Sequence, residues 1–267
     1  MRIQSFQLSA TKILLALSLA ASLLLTGCAS GPSYNPTVYP FEMNEEKLSE
    51  SPLATVVIPH VNLGSPSRKY LRDSEARIDA RLSAYLKDAG IKVLPQRDFK
   101  QHWNTAVRAF GDPVDPTNGK VNMRTFAQIM QSVRDRYAEE GGPDAFLFTD
   151  LVELEVAFNN GLKHLARWDG VARRPSLQGP GNGVNAAFDW SLPASVASLQ
   201  VTVFDTDLQR LFVSRGGLDA TDAIDTRSSA GRYIRRRSIL ENNTHVDEGI
   251  ALALHPLVPM KQYPGDP

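Results

Sequence analysis

The stretch LATVVIPHVNLGSPSRKYLRDSEARIDARLSAYLKDAGIKVLP, residues 53–95, decides the fold. It opens with a short β-branched run closed by Pro59, which reads as a buried strand. The segment HVNLGSPSRKY follows as a loop. From Ser74 to Ala89, the residues Ile78, Leu82, Tyr85, Leu86 and Ala89 recur at helical spacing, and Gly90 stands where a helix stops. IKVLP (91–95) is a second buried strand. Strand, helix and strand at this length predict a βαβ unit with parallel strands and a right-handed crossover.

Beyond this unit, Phe99, Trp103, Ala106, Val107 and Phe110 mark another helical stripe, stopped by Gly111 and Pro113. GDPVDPTNGK is loop, and Asn122 can cap a helix carrying Phe126, Ile129, Met130, Val133 and Tyr137. These aromatic and Met stripes read as core faces. AFLFTDLVELEVAF (145–158) is a long strand with Leu154, Val156 and Phe158 on one face and Glu153 and Glu155 on the other. Asn159-Asn160-Gly161 is a hairpin turn signal that predicts a return along LKHLARWDGVAR (162–173). RPSLQGPGNGVNAAFDWSLP (174–193) reads as a long loop or an excursion of that hairpin. SVASLQVTVFD and QRLFVSRGGL predict a second hairpin around Thr206-Asp207, and HVDEGIALALHP (245–256) a short helix. The predicted class is α/β with an α+β tendency. It has a mixed sheet with an N-terminal βαβ unit, helices on the sheet and C-terminal antiparallel hairpins. Residues 53–258 form one globular domain in this reading, followed by a tail over 259–267.

Ahead of the domain stand Arg2 and Lys12, an apolar run from Ile13 to Leu25, then Thr26 and Gly27. A positive start, a short apolar core and small residues predict a secretory signal peptide over residues 1–27. The apolar run is shorter than the about 20 residues a spanning helix needs. Leu25-Thr26-Gly27-Cys28 resembles the bacterial lipobox. That resemblance implies cleavage before Cys28, a diacylglycerol on its thiol and an acylated amino terminus. Ala29 then implies sorting to the outer membrane, facing the periplasm. Cys28 is the only cysteine in 267 residues. An exported chain whose single thiol is acylated forms no disulfide, so its fold rests on its core. Residues 28–52, rich in Ser, Pro, Asn and Glu, are expected to be the lipidated terminus and a flexible tether. Tyr34, Tyr39 and Phe41 within it are available to dock on the domain or on a partner.

The chain carries 29 basic and 29 acidic residues. Removing residues 1–27 takes away Arg2 and Lys12 and no acid, so the remainder has two more acids than bases. That balance argues against nucleic acid as a partner, which calls for a strongly basic face. With 42% hydrophobic residues the chain is globular rather than disordered.

The order of elements behind a lipobox resembles periplasmic outer-membrane lipoproteins. The group includes the curli-export lipoprotein CsgG, LpoB-type activators of penicillin-binding proteins, and the N-terminal domain of TolB. The residues carrying the likeness are ATVVIP, the helix running into LKDAGIKVLP, the strand pair SLQVTVFDTDLQRLFVS and the closing EGIALALHPLV. The resemblance implies a non-catalytic module that helps assemble or regulate envelope machinery. The helical pair at 97–140 and the loop at 174–193 depart from that group's pattern.

Chemistry-bearing motifs are sparse. The sequence has no GxSxG, HExxH, P-loop or GxGxxG, and its five histidines lack ligand spacing. Neither a cofactor nor a metal is expected. Glu153 and Glu155 share a strand face, where paired acids can do acid–base work or simply meet solvent. Asp219, Asp222 and Asp225 in DATDAID can gather a cation or form an acidic loop, without the Gly and Glu of an EF-hand. RYIRRRSIL is the one charge cluster. Arg232, Arg235, Arg236 and Arg237 can bind carboxylate or phosphate of a partner, or pair with the preceding aspartates. Three function classes follow. The leading one is a membrane-anchored interaction module binding an envelope protein or itself. The others are a periplasmic enzyme such as a cell-wall hydrolase, and an oligomeric ring or secretion component.

Overall fold

The computed structural model describes residues 41–50, 52–61, 69–181, 183–227 and 231–260. Cys28 and the predicted signal segment lie outside them, as does the end of the chain from residue 261. The elements in chain order begin with β1 (Phe41–Met43), α1 (Glu45–Glu50), β2 (Thr55–Val57), α2 (Lys69–Asp88) and β3 (Lys92–Val93). The helices α3 (Gln96–Phe110) and α4 (Met123–Glu140) follow, then the strands β4 (Ala145–Ala157), β5 (Ala166–Trp168), β6 (Val171–Arg173) and β7 (Ser176–Gln178). The chain continues through β8 (Pro193–Asp205), β9 (Arg210–Ala220), β10 (Asp222–Asp225), β11 (Tyr233–Arg235) and α5 (Asn243–Leu254).

The fold is α/β, built on a six-stranded mixed sheet in the order β1-β9-β8-β4-β2-β3. The βαβ unit is present: β2 and β3 run parallel, with Val56 opposite Val93, and β2 also runs parallel to β4. Helix α2 turns Leu71, Ile78, Leu82 and Leu86 toward the sheet, where they meet Val56, Leu147, Leu199 and Val201 beside α5. The opposite face of the sheet, with Val57, Phe146 and Phe148, is covered by Phe99 and Ala106 of α3 and by Phe126, Ile129 and Met130 of α4. Each fully buried side chain of this kind contributes about 1.5–3 kcal/mol. Local chemistry fixes the helix ends. Asn122 caps α4 by accepting from the N–H groups of Arg124 and Thr125, and Gly141 ends it in the left-handed region at φ 81.

Two expectations are corrected. The turn at Asn159-Gly161 forms, with Asn160 bridging Leu165, but residues 162–173 do not return along β4. The neighbour of β4 is β8, antiparallel over 13 pairs from Ala145–Asp205 to Ala157–Pro193. That register places Leu147 beside Val203 and Leu151 beside Leu199, burying all four. Residues 162–173 carry Lys163, His164, Arg167 and Asp169 and could not fill such a face, since register follows the apolar pattern. They fold instead into the small β5–β6 hairpin, part of a third apolar cluster with Phe158, Val196 and Leu252. The β8–β9 hairpin around Thr206-Asp207 is as expected.

The second correction concerns the tether. Residues 41–50 belong to the folded body rather than to a flexible lead. Strand β1 closes the outer edge of the sheet against β9, Phe41 opposite Ser214 and Met43 opposite Phe212. Met43 and Leu48 pack on the core, and Lys47 pairs with Asp205 at 3.2 Å. An edge strand otherwise presents unpaired N–H and C=O groups, which β1 satisfies.

Candidate functional site

The arginine cluster and the aspartates before it fold against each other. β10 and β11 are antiparallel with Asp222 opposite Arg235, and β7 adds to the other side of β10. Arg235 reaches Glu153 at 2.9 Å and Asp222 at 3.3 Å, and its guanidinium lies 4.2 Å over the Tyr70 ring. Arg236 reaches Asp219 at 2.8 Å and donates to the Ala220 carbonyl. Arg232 stands 3.6 Å from Asp225 at the surface, and Arg237 is exposed, its backbone N–H donating to Gln178. The pairing with DATDAID therefore takes Arg235 and Arg236, and at the surface Arg232 as well. Arg232 and Arg237 keep guanidinium surface facing solvent.

Asp219 and Asp225 are the buried members, 4% and 3% exposed. Burial alone pushes the Asp219 carboxyl up. The hydrogen bond from His245 and the charge of Arg236 outweigh that and hold it below the usual carboxylate range. With their carboxylates engaged by arginines, Asp219, Asp222 and Asp225 are not arranged around a cation. Among the described residues no group of three or more His, Cys, Asp or Glu can hold a metal ion.

The acids Glu153 and Glu155, and likewise His164 and Asp169, sit in separate surroundings. Glu153 is engaged by Arg235 and the Tyr70 hydroxyl, while Glu155 is exposed. His164 stacks on Trp190 with ring centroids 3.5 Å apart. Asp169 is buried and accepts from the Ser198 hydroxyl at 2.7 Å.

The main concavity is elsewhere, where the βαβ unit ends. A groove of about 740 Å³ opens past the carboxyl ends of β2 and β3, between α2 and α3. Open α/β sheets bind ligands at that place, because the strand ends leave a crevice between helices on opposite faces. The α2 wall presents Ala76, Ala80, Ser83 and Lys87, at spacing that puts them beside the core stripe of the same helix. The α3 wall presents Phe99 and Trp103, stacked at 5.8 Å, together with Lys100. Val93 and Leu94 of the sheet edge form the floor.

His60 stands at the mouth, half-exposed. Its Nδ1 lies 3.0 Å from Asp79 Oδ2 and its Nε2 3.6 Å from Glu75 Oε2. Asp79 also accepts from the Thr149 hydroxyl at 2.9 Å. The hydrogen bond to Asp79 raises the His60 pKa above 6.5, helped by both carboxylate charges and opposed by burial and Lys100. Sequence reasoning left His60 in a loop. Its signal was position alone, directly after the first strand of a βαβ unit. Asp79 and Thr149 join it only through the fold.

Among the described residues no helix is long and apolar enough to cross a membrane. No family model matches this chain, and no curated protein or solved structure matches it either.

Proposed function

We propose that this chain is a lipid-anchored, non-catalytic lipoprotein of the bacterial cell envelope. Acyl chains on Cys28 hold it in the outer membrane facing the periplasm, and its domain acts as an interaction or assembly module. The lipobox residues Leu25–Cys28 support the anchor, since more than one acyl chain gives stable attachment without a spanning helix. The observation that carries the binding role is the groove between α2 and α3, a preformed concavity with aromatic, small and basic lining. Arg232 and Arg237 offer a second, basic contact on the surface.

The His60–Asp79 pair favours one other reading, an enzyme, because a carboxylate-oriented imidazole can serve as a general base. Both ring nitrogens face carboxylates, however, and the hydrogen bond to Asp79 shifts the ring toward its protonated form. That suits a positioning cation better than a base.

Two measurements test the proposal. Cys28→Ser should leave the membrane fraction while remaining folded. Retention on membranes after a high-salt wash would refute the anchor. Photo-crosslinking residues placed at Ser83 and Asn104 in intact cells should capture a discrete protein that the same probe at Glu139 does not. Failure at both groove positions would refute the binding role.

A further inference from the structure

We infer that the groove takes an extended, acidic polypeptide segment as an added strand on β3. This rests on the groove being the binding face. Strand β3 is the terminal strand of the sheet among the described residues. Its neighbours in the chain fix which way each residue points. Lys92 N–H donates to Ala54 and Leu94 N–H to Val56, both at 2.8 Å. Successive strand residues direct their N–H and C=O to opposite sides, so those of Val93 point away from β2. Val93 itself lines the groove, and this outward pair is therefore aimed into it.

The walls suit a backbone rather than a bulky flat ligand. Ala76, Ala80 and Ser83 keep the α2 side shallow, leaving room for a chain about 4.8 Å from β3. Trp103, backed by the buried Phe99, offers an apolar surface on the α3 side for alternate side chains of the guest.

Charge selects the guest. The lining carries His60, Lys87 and Lys100; Asp79 and the adjoining Glu75 both face His60, which leaves the two lysines as the positive excess. Carboxylates on the guest answer that excess. Strand addition is short here: β3 spans two residues and Pro95 follows it, so the backbone contributes through Val93 and the lining must supply the rest. The expected affinity is accordingly modest, with dissociation constants of about 1–100 μM.

The test is to pan a displayed library of random dodecapeptides against the full-length protein in detergent. Recovered peptides should alternate Asp or Glu with β-branched residues. N-methylation at every second residue, in the phase whose N–H groups face β3, should weaken the best peptide at least tenfold. Methylation in the other phase should change binding less than threefold. Lys87→Glu with Lys100→Glu should also weaken it at least tenfold. Both lysines are exposed, and the methylation pattern probes the backbone pairing without altering the protein. An empty selection, peptides without acidic enrichment, or equal sensitivity in both phases overturns the inference. If Ser83 still crosslinks a protein in cells, the interaction role survives that failure. If Ser83 and Asn104 capture nothing, the wider reading falls with it.

Discussion

Arg236 Nη1 lies 2.8 Å from Asp219 Oδ2, seventeen residues apart in the chain, and the carboxylate it meets is 4% exposed. Asp219 also accepts from the Ala220 N–H and stands 3.3 Å from His245 Nδ1. A buried carboxylate with this many partners is costly to strand. Arg236→Gln should destabilise the domain by about 2 kcal/mol, read as a lower urea midpoint. Arg232→Gln and Arg237→Gln, at the surface, should stay within about 0.5 kcal/mol of the parent. Equal losses at all three positions would contradict the assigned geometry.

His60 supplies a pH signature. Its pKa is raised in the folded chain above 6.5, so its contribution is fully present below that value. The contribution is lost as pH rises through the higher folded value. The stability difference between the parent and His60→Gln should therefore be larger at pH 5.5 than at pH 8.5. Thermal melts of both proteins at the two pH values measure it. A difference that grows with pH would reverse the sign and remove Asp79 as the partner.

Helix α5 crosses β9 where neither element has room for a side chain. A methyl on Gly216 would overlap the Gly249 carbonyl oxygen, and one on Gly249 would stand 2.6 Å from the Gly217 oxygen. Backbone cannot retreat there as a flexible side chain would. Gly216→Ala and Gly249→Ala should each cost about 3 kcal/mol or more. Gly183→Ala, with nothing within 4 Å, should be close to neutral in the same melts.

The segment from Phe41 to Glu50 separates a tether from a structural element. Because Met43 and Leu48 pack on the core and β1 closes the sheet edge, a chain lacking residues 41–50 should lose roughly 2 kcal/mol. A denaturant midpoint unchanged by that deletion would return 41–50 to the tether.

Local signals made much of the fold legible. The β-branched run before Pro59, the stripe from Ile78 to Ala89, the Asn122 cap and the turn at Thr206-Asp207 each carry their own chemistry within a few residues. The misread parts depend on distant partners. Phe41–Met43 is too short to show a period, and it becomes a strand only because β9 offers an edge from far along the chain. Asn159-Asn160-Gly161 is a sound turn, yet the partner of β4 is decided by 13 matched pairs with β8. The site divides in the same way. The proximity of DATDAID to RYIRRR in sequence carries over into β10 and β11, whereas His60, Asp79 and Thr149 meet across three parts of the fold.

The placement of β1 has a mechanical consequence. A pull on Phe41 is taken first by the outermost strand, at the opposite end of the strand order from β3 and its groove. Among the described residues, three paired positions, the Glu42–Arg210 ion pair, the Asn44 N–H bond to Leu211 and the contacts of α1 hold that point. These yield before β4, β8 and β9, whose ladders are several times longer. Releasing ten residues lengthens the reach of the domain by about 35 Å at full extension. The far end of the sheet, where β2 and β3 meet α2 and α3, keeps its shape while the near end gives. The first strand is thus the part of the sheet built to give first, leaving the groove at the other end undisturbed.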